Sequence, residues 1–363
     1  TGKGTEGALD LFSSIIVESM KSISEKQPIP RAENIAMFKS NAGNIHDSRI
    51  IQGVAFRRRV LMDSLPNKLS DVKVAVISGD IKIRKMTRTA EIQITSADQL
   101  EAFVDAEQDR KNSISQSLVD SGASLVLCGG EIDRDILHNL ADNNILAIGE
   151  LDSSEIENSA SATGAKIVDS IADIERKDLG FCGSVLWERN EASDMVEDII
   201  RIDGCKKPGL VTIEVGGAGE IATEEIIRGL HDGLRAVSLA IEDQEILPGG
   251  GAIHSRIANA VRVSSESEPG RARLAMEAFS RAMETIPGAL VENSGNDVLD
   301  SILELRAATR NQEHFMGINE NGKISVIDRA WHPRTVITES LQLACETTIG
   351  MLRIDQVISS RGD

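Results

Sequence analysis

The sequence predicts a multidomain fold, α and α/β, in which an α/β module is inserted between the parts of a mainly helical body. Three observations predict it. Short β-rich runs alternate with amphipathic helices from Val72 to Val215, the pattern of a layered α/β unit. From Gly251 onward, apolar residues recur almost wholly at helical spacing. A separate amphipathic helix precedes the module.

Taken in order, Leu11/Phe12, Ile15/Ile16, Met20 and Ile23 mark the first helix, and Pro28 and Pro30 end it. Residues 31–65 are mixed, and the cluster Arg57-Arg58-Arg59 reads as a solvated or salt-bridged face. Candidate strands follow at Lys73–Ile77, Leu125–Cys128, Ile145–Ile148, Lys166–Val168 and Val211–Val215, with helices at Glu131–Leu140 and Ser154–Ala162 between them. Ser96 and Gln99 form a capping-box pattern for a helix over Ala97–Ser121. That helix is thinly apolar, so it is expected to project in part from the body. Ile221–Glu242 reads as one long helix carrying Asp232. Helices are then expected over 251–264, 270–286, 296–308 and 334–350, with a hairpin near Gly317–Ile327 turning at Asn321-Gly322. Met351–Ile358 alternates and reads as a strand, whose unpaired edge would risk self-association.

Composition narrows the function. The net charge of −18 and an aromatic content of 2%, with no Tyr, argue against a phosphate-backbone binder or a base-stacking surface, so no nucleic-acid partner is expected. No apolar run approaches the length of a membrane span, and no membrane partner is expected. The four cysteines show no CxxC pairing, which speaks against structural zinc and fits a reducing, cytoplasmic setting. The six histidines are scattered, and no metal ligand set is called.

The most informative stretch is Leu247-Pro248-Gly249-Gly250-Gly251-Ala252, with Asp232 upstream. Glycines at a helix start let backbone approach a ligand, and the positive end of the helix dipole suits a phosphate or polar edge. The plainer reading of such a triplet is a tight strand-to-helix turn. Val215–Glu220 contains a Gly-x-Gly fragment without the full dinucleotide fingerprint, so a hinge or crossover is the better reading there.

Several segments together resemble a known family. Leu247–Ala252, Ile286–Gly295, Leu305–Ala308 and Cys345–Asp355 resemble the C-terminal half of group II chaperonins, the archaeal thermosome and its eukaryotic cytosolic relatives. Thr1–Gly4, Ala162–Val168 and Asp178–Gly180 resemble the intermediate and apical segments of the same family. The resemblance implies an intermediate domain over 1–65 and 214–246, and an apical domain over 66–213 with a helical protrusion near 95–121. It implies the C-terminal half of an equatorial domain over 247–363. It also implies double rings of sister subunits that bind unfolded polypeptides and use ATP, bound as ATP/ADP with Mg2+.

Site residues carried by the resemblance follow position by position. Asp232 matches the catalytic aspartate, and a carboxylate there orients or deprotonates the water attacking the γ-phosphate. Gly249, Gly250 and Gly251 match a triplet lying against the nucleotide, chiefly its ribose. Asn293 and Asp297 match a loop near the base, although either could equally cap a helix. Asp328 stands where an acidic residue meets ribose or base. Leu100, Phe103 and Val104 are candidates for contact with unfolded clients, with ordinary helix packing as the alternative. The family's phosphate loops, including a Gly-Asp-Gly-Thr-Thr motif, have no counterpart in this chain. ATP binding by these residues alone is therefore expected to be weak or absent, and a non-ATPase paralogue acting as a binding or structural protein is the alternative reading.

Overall fold

A computed structural model describes residues 8–40, 43–62, 64–83, 97–190, 197–217, 220–310 and 314–354. The chain divides into two compact units, Thr1–Arg235 and Ala236–Asp363.

The first unit opens with α1 (Leu9–Ser24), whose Phe12, Ile15, Met20 and Ile23 are buried at helical spacing. Three short strands follow in the stretch that lacked a clear pattern: β1 (Ile35–Lys39), β2 (Arg49–Ile51) and β3 (Val54–Arg58). The long β4 (Lys68–Ile77) starts an α/β run through α2 (Ala97–Ser121), β5 (Leu125–Cys128), α3 (Arg134–Asp142), β6 (Leu146–Ile148), α4 (Ser153–Thr163) and β7 (Ile167–Val168). The hairpin strands β8 (Gly180–Asn190) and β9 (Glu197–Asp203), then β10 (Val211–Val215) and α5 (Glu220–Asp243), complete it.

These strands form two sheets. In the smaller, β10 pairs parallel with β1 and antiparallel with β2, and α1 packs on it. The larger runs β3-β9-β8-β4-β5-β6, with β7 pairing β4 beside its C-terminal end. Strands β4, β5, β6 and β7 are parallel, and β8, β9 and β3 extend the sheet antiparallel. Its core is aliphatic: Val72, Val74, Ile77, Leu125 and Leu127 are fully or almost fully buried. Caps set the helix starts. Asp133 accepts the Asp135 N–H at 2.9 Å, and Asp152 and Glu155 form a reciprocal capping box. The two sheets are tied by Glu214 of β10, 3% exposed, which takes Arg201 of β9 at 2.7 Å and Arg49 of β2 at 2.9 Å.

The second unit holds β11 (Ile246–Pro248), α6 (Ala252–Ser265), α7 (Arg271–Asn293), α8 (Val298–Arg310), the hairpin β12 (Met316–Ile318) and β13 (Ile324–Val326), β14 (Trp331–Pro333) and α9 (Arg334–Leu352). Glu284 of α7 pins three of these helices. Its buried carboxylate receives Arg262 of α6 at 2.5 Å and Arg306 of α8 at 2.5 Å. Burial pushes its pKa up, but the two guanidiniums win and hold it below the ordinary glutamate value.

Two expectations are corrected here. The helix expected to end at 286 runs through Pro287 to Asn293. Pro287 and Val291 are buried in the unit's packing, and that burial outweighs the proline's missing N–H. The strand expected from Met351 is helical through Leu352. Alternation over so few residues does not separate strand from helix, and the helix simply continues its hydrogen bonding to the cap at Arg353. Residues 355–358 of that expected strand, Ser96 of the capping box and Thr1–Gly4 lie outside the described residues.

Candidate functional site

Helix α5 buries Ile226, Leu230 and Leu234, spaced four apart, and this stripe turns the other face outward. Asp232 lies on the outward face, exposed. The next residue, Gly233, faces α1: a Cβ there would stand 2.7 Å from Ile16 Cδ1. Asp232 belongs to the first compact unit, and Gly249–Gly251, Asn293 and Asp328 belong to the second.

In the second unit the glycine triplet forms the turn from β11 into α6. Gly250 and Gly251 have φ of +60° and +72°, which side chains rarely adopt. Packing requires them as well. A Cβ on Gly250 would lie 2.6 Å from the Ile318 carbonyl oxygen, and one on Gly251 would lie 2.7 Å from Pro287 Cβ. The Gly249 N–H donates to the Ala330 carbonyl at 2.8 Å, and the Ile318 N–H donates to the Gly250 carbonyl at 2.7 Å. The plain turn reading is therefore realised in full. Among the described residues the Gly250 and Gly251 N–H groups meet no acceptor, which leaves the helix start its anion-favouring polarity.

Asp328 lies two residues beyond β13, exposed, on a cleft of about 300 Å³ shared with Asn319, Asn321 and Ser325. Its carbonyl accepts the Trp331 indole N–H at 3.2 Å. The same segment touches the triplet through Ile327, whose Cδ1 would be 2.9 Å from a Cβ on Gly250. Asp328 and the triplet are thus neighbours in one unit. Asn293 is the last residue of α7 and is exposed, and Asp297 caps α8 by accepting the Asp300 N–H at 2.9 Å. The Asn296 amide that follows Asn293 donates to the Gly322 carbonyl at 3.3 Å, bringing this corner to the β12–β13 hairpin turn.

On α2, Phe103 is 46% and Val104 55% exposed, whereas Leu118 near the C-terminus is fully buried. The helix therefore packs by its C-terminal half and presents its first half to solvent. The side chain of Leu100 lies outside the described residues. Residues that the sequence motifs do not mark also shape the second unit: the Glu284 clamp carries no local motif, because its partners are 22 positions away on either side. Among the described residues no group of three or more His, Cys, Asp or Glu side chains converges as a metal site.

The family model for the TCP-1/cpn60 chaperonin family matches residues 1–361. The chain belongs to that family. It is 34% identical over 368 residues to the thermosome subunit alpha of Archaeoglobus fulgidus, covering 100% of this chain and 67% of that one. The thermosome subunit beta of Methanothermobacter thermautotrophicus is 34% identical over 363 residues, covering 99% of this chain and 66% of its own length. The chaperonin chain thus spans about two thirds of the length of these relatives. Among solved structures it resembles the open state monomer of a group II chaperonin from Methanococcoides burtonii, with a TM-score of 0.65 and 25% identity over 98% of this chain and 83% of that one. The expected fold, helical and α/β domains in the chaperonin manner, is that of this neighbour. No helix among the described residues is long and apolar enough to cross a membrane.

Proposed function

We propose that this chaperonin chain acts in an ATP-driven subunit that binds unfolded polypeptides in the cytoplasm, within rings of sister subunits. The observation that carries the reading is the family match along residues 1–361, joined by thermosome relatives that align with the whole chain. On this reading 1–65 and 214–246 are the intermediate domain, 66–213 the apical domain and 247–363 the equatorial half.

Each site residue has a part that its setting suits. Asp232, exposed on α5, serves as the carboxylate that orients the attacking water. The free N–H groups of Gly250 and Gly251 and the carboxylate of Asp328 offer polar contacts to a nucleotide's sugar and base, with Asn293 near the hairpin corner. Such contacts position the nucleotide, and in phosphoryl transfer positioning and electrostatics supply most of the rate. When bound, Mg2+ neutralises charge on the phosphates. The exposed Phe103 and Val104 give α2 apolar area for an unfolded chain.

The test measures two things on the native polypeptide: ATP hydrolysis, and suppression of aggregation of a chemically denatured model protein. Hydrolysis that falls by about a hundredfold in Asp232→Ala, at unchanged folding, supports the reading. Suppression of aggregation without hydrolysis, and insensitive to Asp232→Ala, replaces it with the non-ATPase paralogue.

A further inference from the structure

The larger sheet of the first unit contains a cleft that the chaperonin reading does not use. The parallel strands lie in the order β7-β4-β5-β6, so the chain moves from β4 outward to β5 and β6, then returns to the other side of β4. Parallel crossovers are right-handed, so the outward and the returning connections lie on opposite faces. The loop leaving β4 leads into α2, and the loop leaving β7 packs its Ile171–Asp173 turn against the same helix, so α2 and the two loops enclose the carboxyl ends of β4 and β7. The carboxyl ends of strands in open α/β sheets are where crevices for ligands form.

A cleft of about 380 Å³ occupies that place. Asp80 and Lys82 of the loop after β4 form one wall, and Ser170 and Ile171 after β7 form another. The third wall is a single face of α2, where Arg110, Ser113, Ile114 and Ser117 recur three and four apart. The strand ends beneath are fixed. Ser78 N–H donates to the Val168 carbonyl at 2.9 Å, the Ser78 hydroxyl to Asp169 at 2.7 Å, and the Ile81 N–H to the Glu131 carbonyl at 2.8 Å.

The charges in the cleft are unequal in availability. Lys82 is already held by Asp80 at 3.1 Å and Glu131 at 2.9 Å. Arg110 makes no ion pair or hydrogen bond among the described residues, so its guanidinium fork faces the opening uncommitted. One available fork, with the Ser113 hydroxyl beside it, matches a single planar carboxylate. Among the described residues of the cleft, Arg110 is the one cation not already paired, and a phosphate dianion there would also meet the Asp80 carboxylate.

We infer that this cleft is a binding site for a carboxylate-bearing ligand of small size, held by Arg110 with a hydroxyl contact from Ser113, the Ser117 hydroxyl being donated to the Ser113 carbonyl at 2.9 Å. The carboxylate has two sources of the same chemistry, a free small organic acid or the C-terminal end of a peptide. Nothing in the inference depends on ATP use.

The experiment follows the isoleucine methyl resonances of the full chain, with Ile114 and Ile171 as reporters at the cleft. The probes are succinate, an N-acetylated tripeptide with a free C-terminus, the same tripeptide amidated, and inorganic phosphate. Expected are saturable shifts of both reporters with succinate or the free-acid tripeptide, and about tenfold weaker binding in Arg110→Gln. Arg110 is exposed, so its replacement leaves folding intact, which the unshifted resonances of the core isoleucines verify. Binding of succinate alone identifies a free acid as the source, and binding of the tripeptide acid identifies a chain end. Four outcomes overturn the inference: no saturable shift, equal binding of the amidated tripeptide, unchanged affinity in Arg110→Gln, or tighter binding of phosphate than of succinate.

Discussion

Gly251 and Pro287 meet so closely that a single added methyl on the glycine would stand 2.7 Å from Pro287 Cβ and 2.9 Å from its Cα. The contact joins the turn before α6 to the middle of α7, at the point where a proline sits inside a helix. It explains two features at once: why the triplet is glycine, and why α7 retains Pro287. The proline ring fills the space that the glycine leaves.

From this contact a stability cost follows for Gly251→Ala. The residue has φ of +72°, and its neighbour is partly backbone, which yields less than a side-chain tip. Strain of about 1 kcal/mol from the dihedral and about 1–3 kcal/mol from overpacking should lower stability by roughly 2–4 kcal/mol. Urea unfolding of the two proteins measures it. A change below about 0.5 kcal/mol would show that the turn is looser than its geometry.

Glu284 should make the second unit acid-sensitive. Its folded pKa lies below the unfolded value of about 4.3, so its stabilising contribution is present above that value and is lost as pH falls through the folded value. Glu284→Gln keeps the shape and removes the charge. Because Arg262 and Arg306 are 26% and 39% exposed, they can rehydrate in part, and the expected loss is about 2–3 kcal/mol near neutrality. Below the folded pKa the variant and the parent should converge. Urea midpoints measured from pH 7 down to pH 3 test both the size and the convergence.

The thiols should divide into two classes. Burial pushes Cys128 up to about 11 and Cys182 up to about 12, and burial with neighbouring Cys182 and Asp203 raises Cys205 further. Thiolate is the reactive form, so all three should resist a disulfide reagent at pH 8 in the folded chain. Cys345 on α9 is only half-buried. One thiol should therefore titrate within minutes, and the other three only after denaturant is added. Rapid reaction of four would place the core thiols closer to solvent than their burial allows.

How much of this was legible in the sequence depended on whether the signal was local. Leu125–Cys128 is an uninterrupted apolar run, Val211–Val215 is β-branched except for Glu214, and Ala97–Ser121 follows a capping pattern; each was readable from its own residues. Strands β1, β2 and β3 were not, because their stabilisation comes from β10 and β9, about 150 positions or more away. Strands β8 and β9 hid for a related reason. Gly183 interrupts one, and the other buries Ile199 and Ile200 side by side, so neither alternates cleanly. The candidate site was legible only through family resemblance. Asp232 carries no local mark of its own, and the tight fit of the glycine triplet depends on Pro287, Ile318 and Ile327, which sequence spacing does not bring together.

Asp232 and Phe103 should separate function from stability. Both side chains are exposed, one on the outward face of α5 and the other on the first half of α2, so neither supports packing. Asp232→Ala and Phe103→Asp should each leave the thermal midpoint within the shift that about 0.5 kcal/mol produces. Their functional effects should differ. A carboxylate that aligns water touches only the reacting step, so Asp232→Ala should lower turnover about a hundredfold and leave capture of a denatured protein in place. An exposed ring that contacts unfolded chains does the reverse: placing a charge there should weaken capture several-fold with turnover intact. If Phe103→Asp captures the denatured protein as well as the parent does, the apolar half of α2 has no part in client binding. Loss of both activities in either variant would mean that the two surfaces act on one common step.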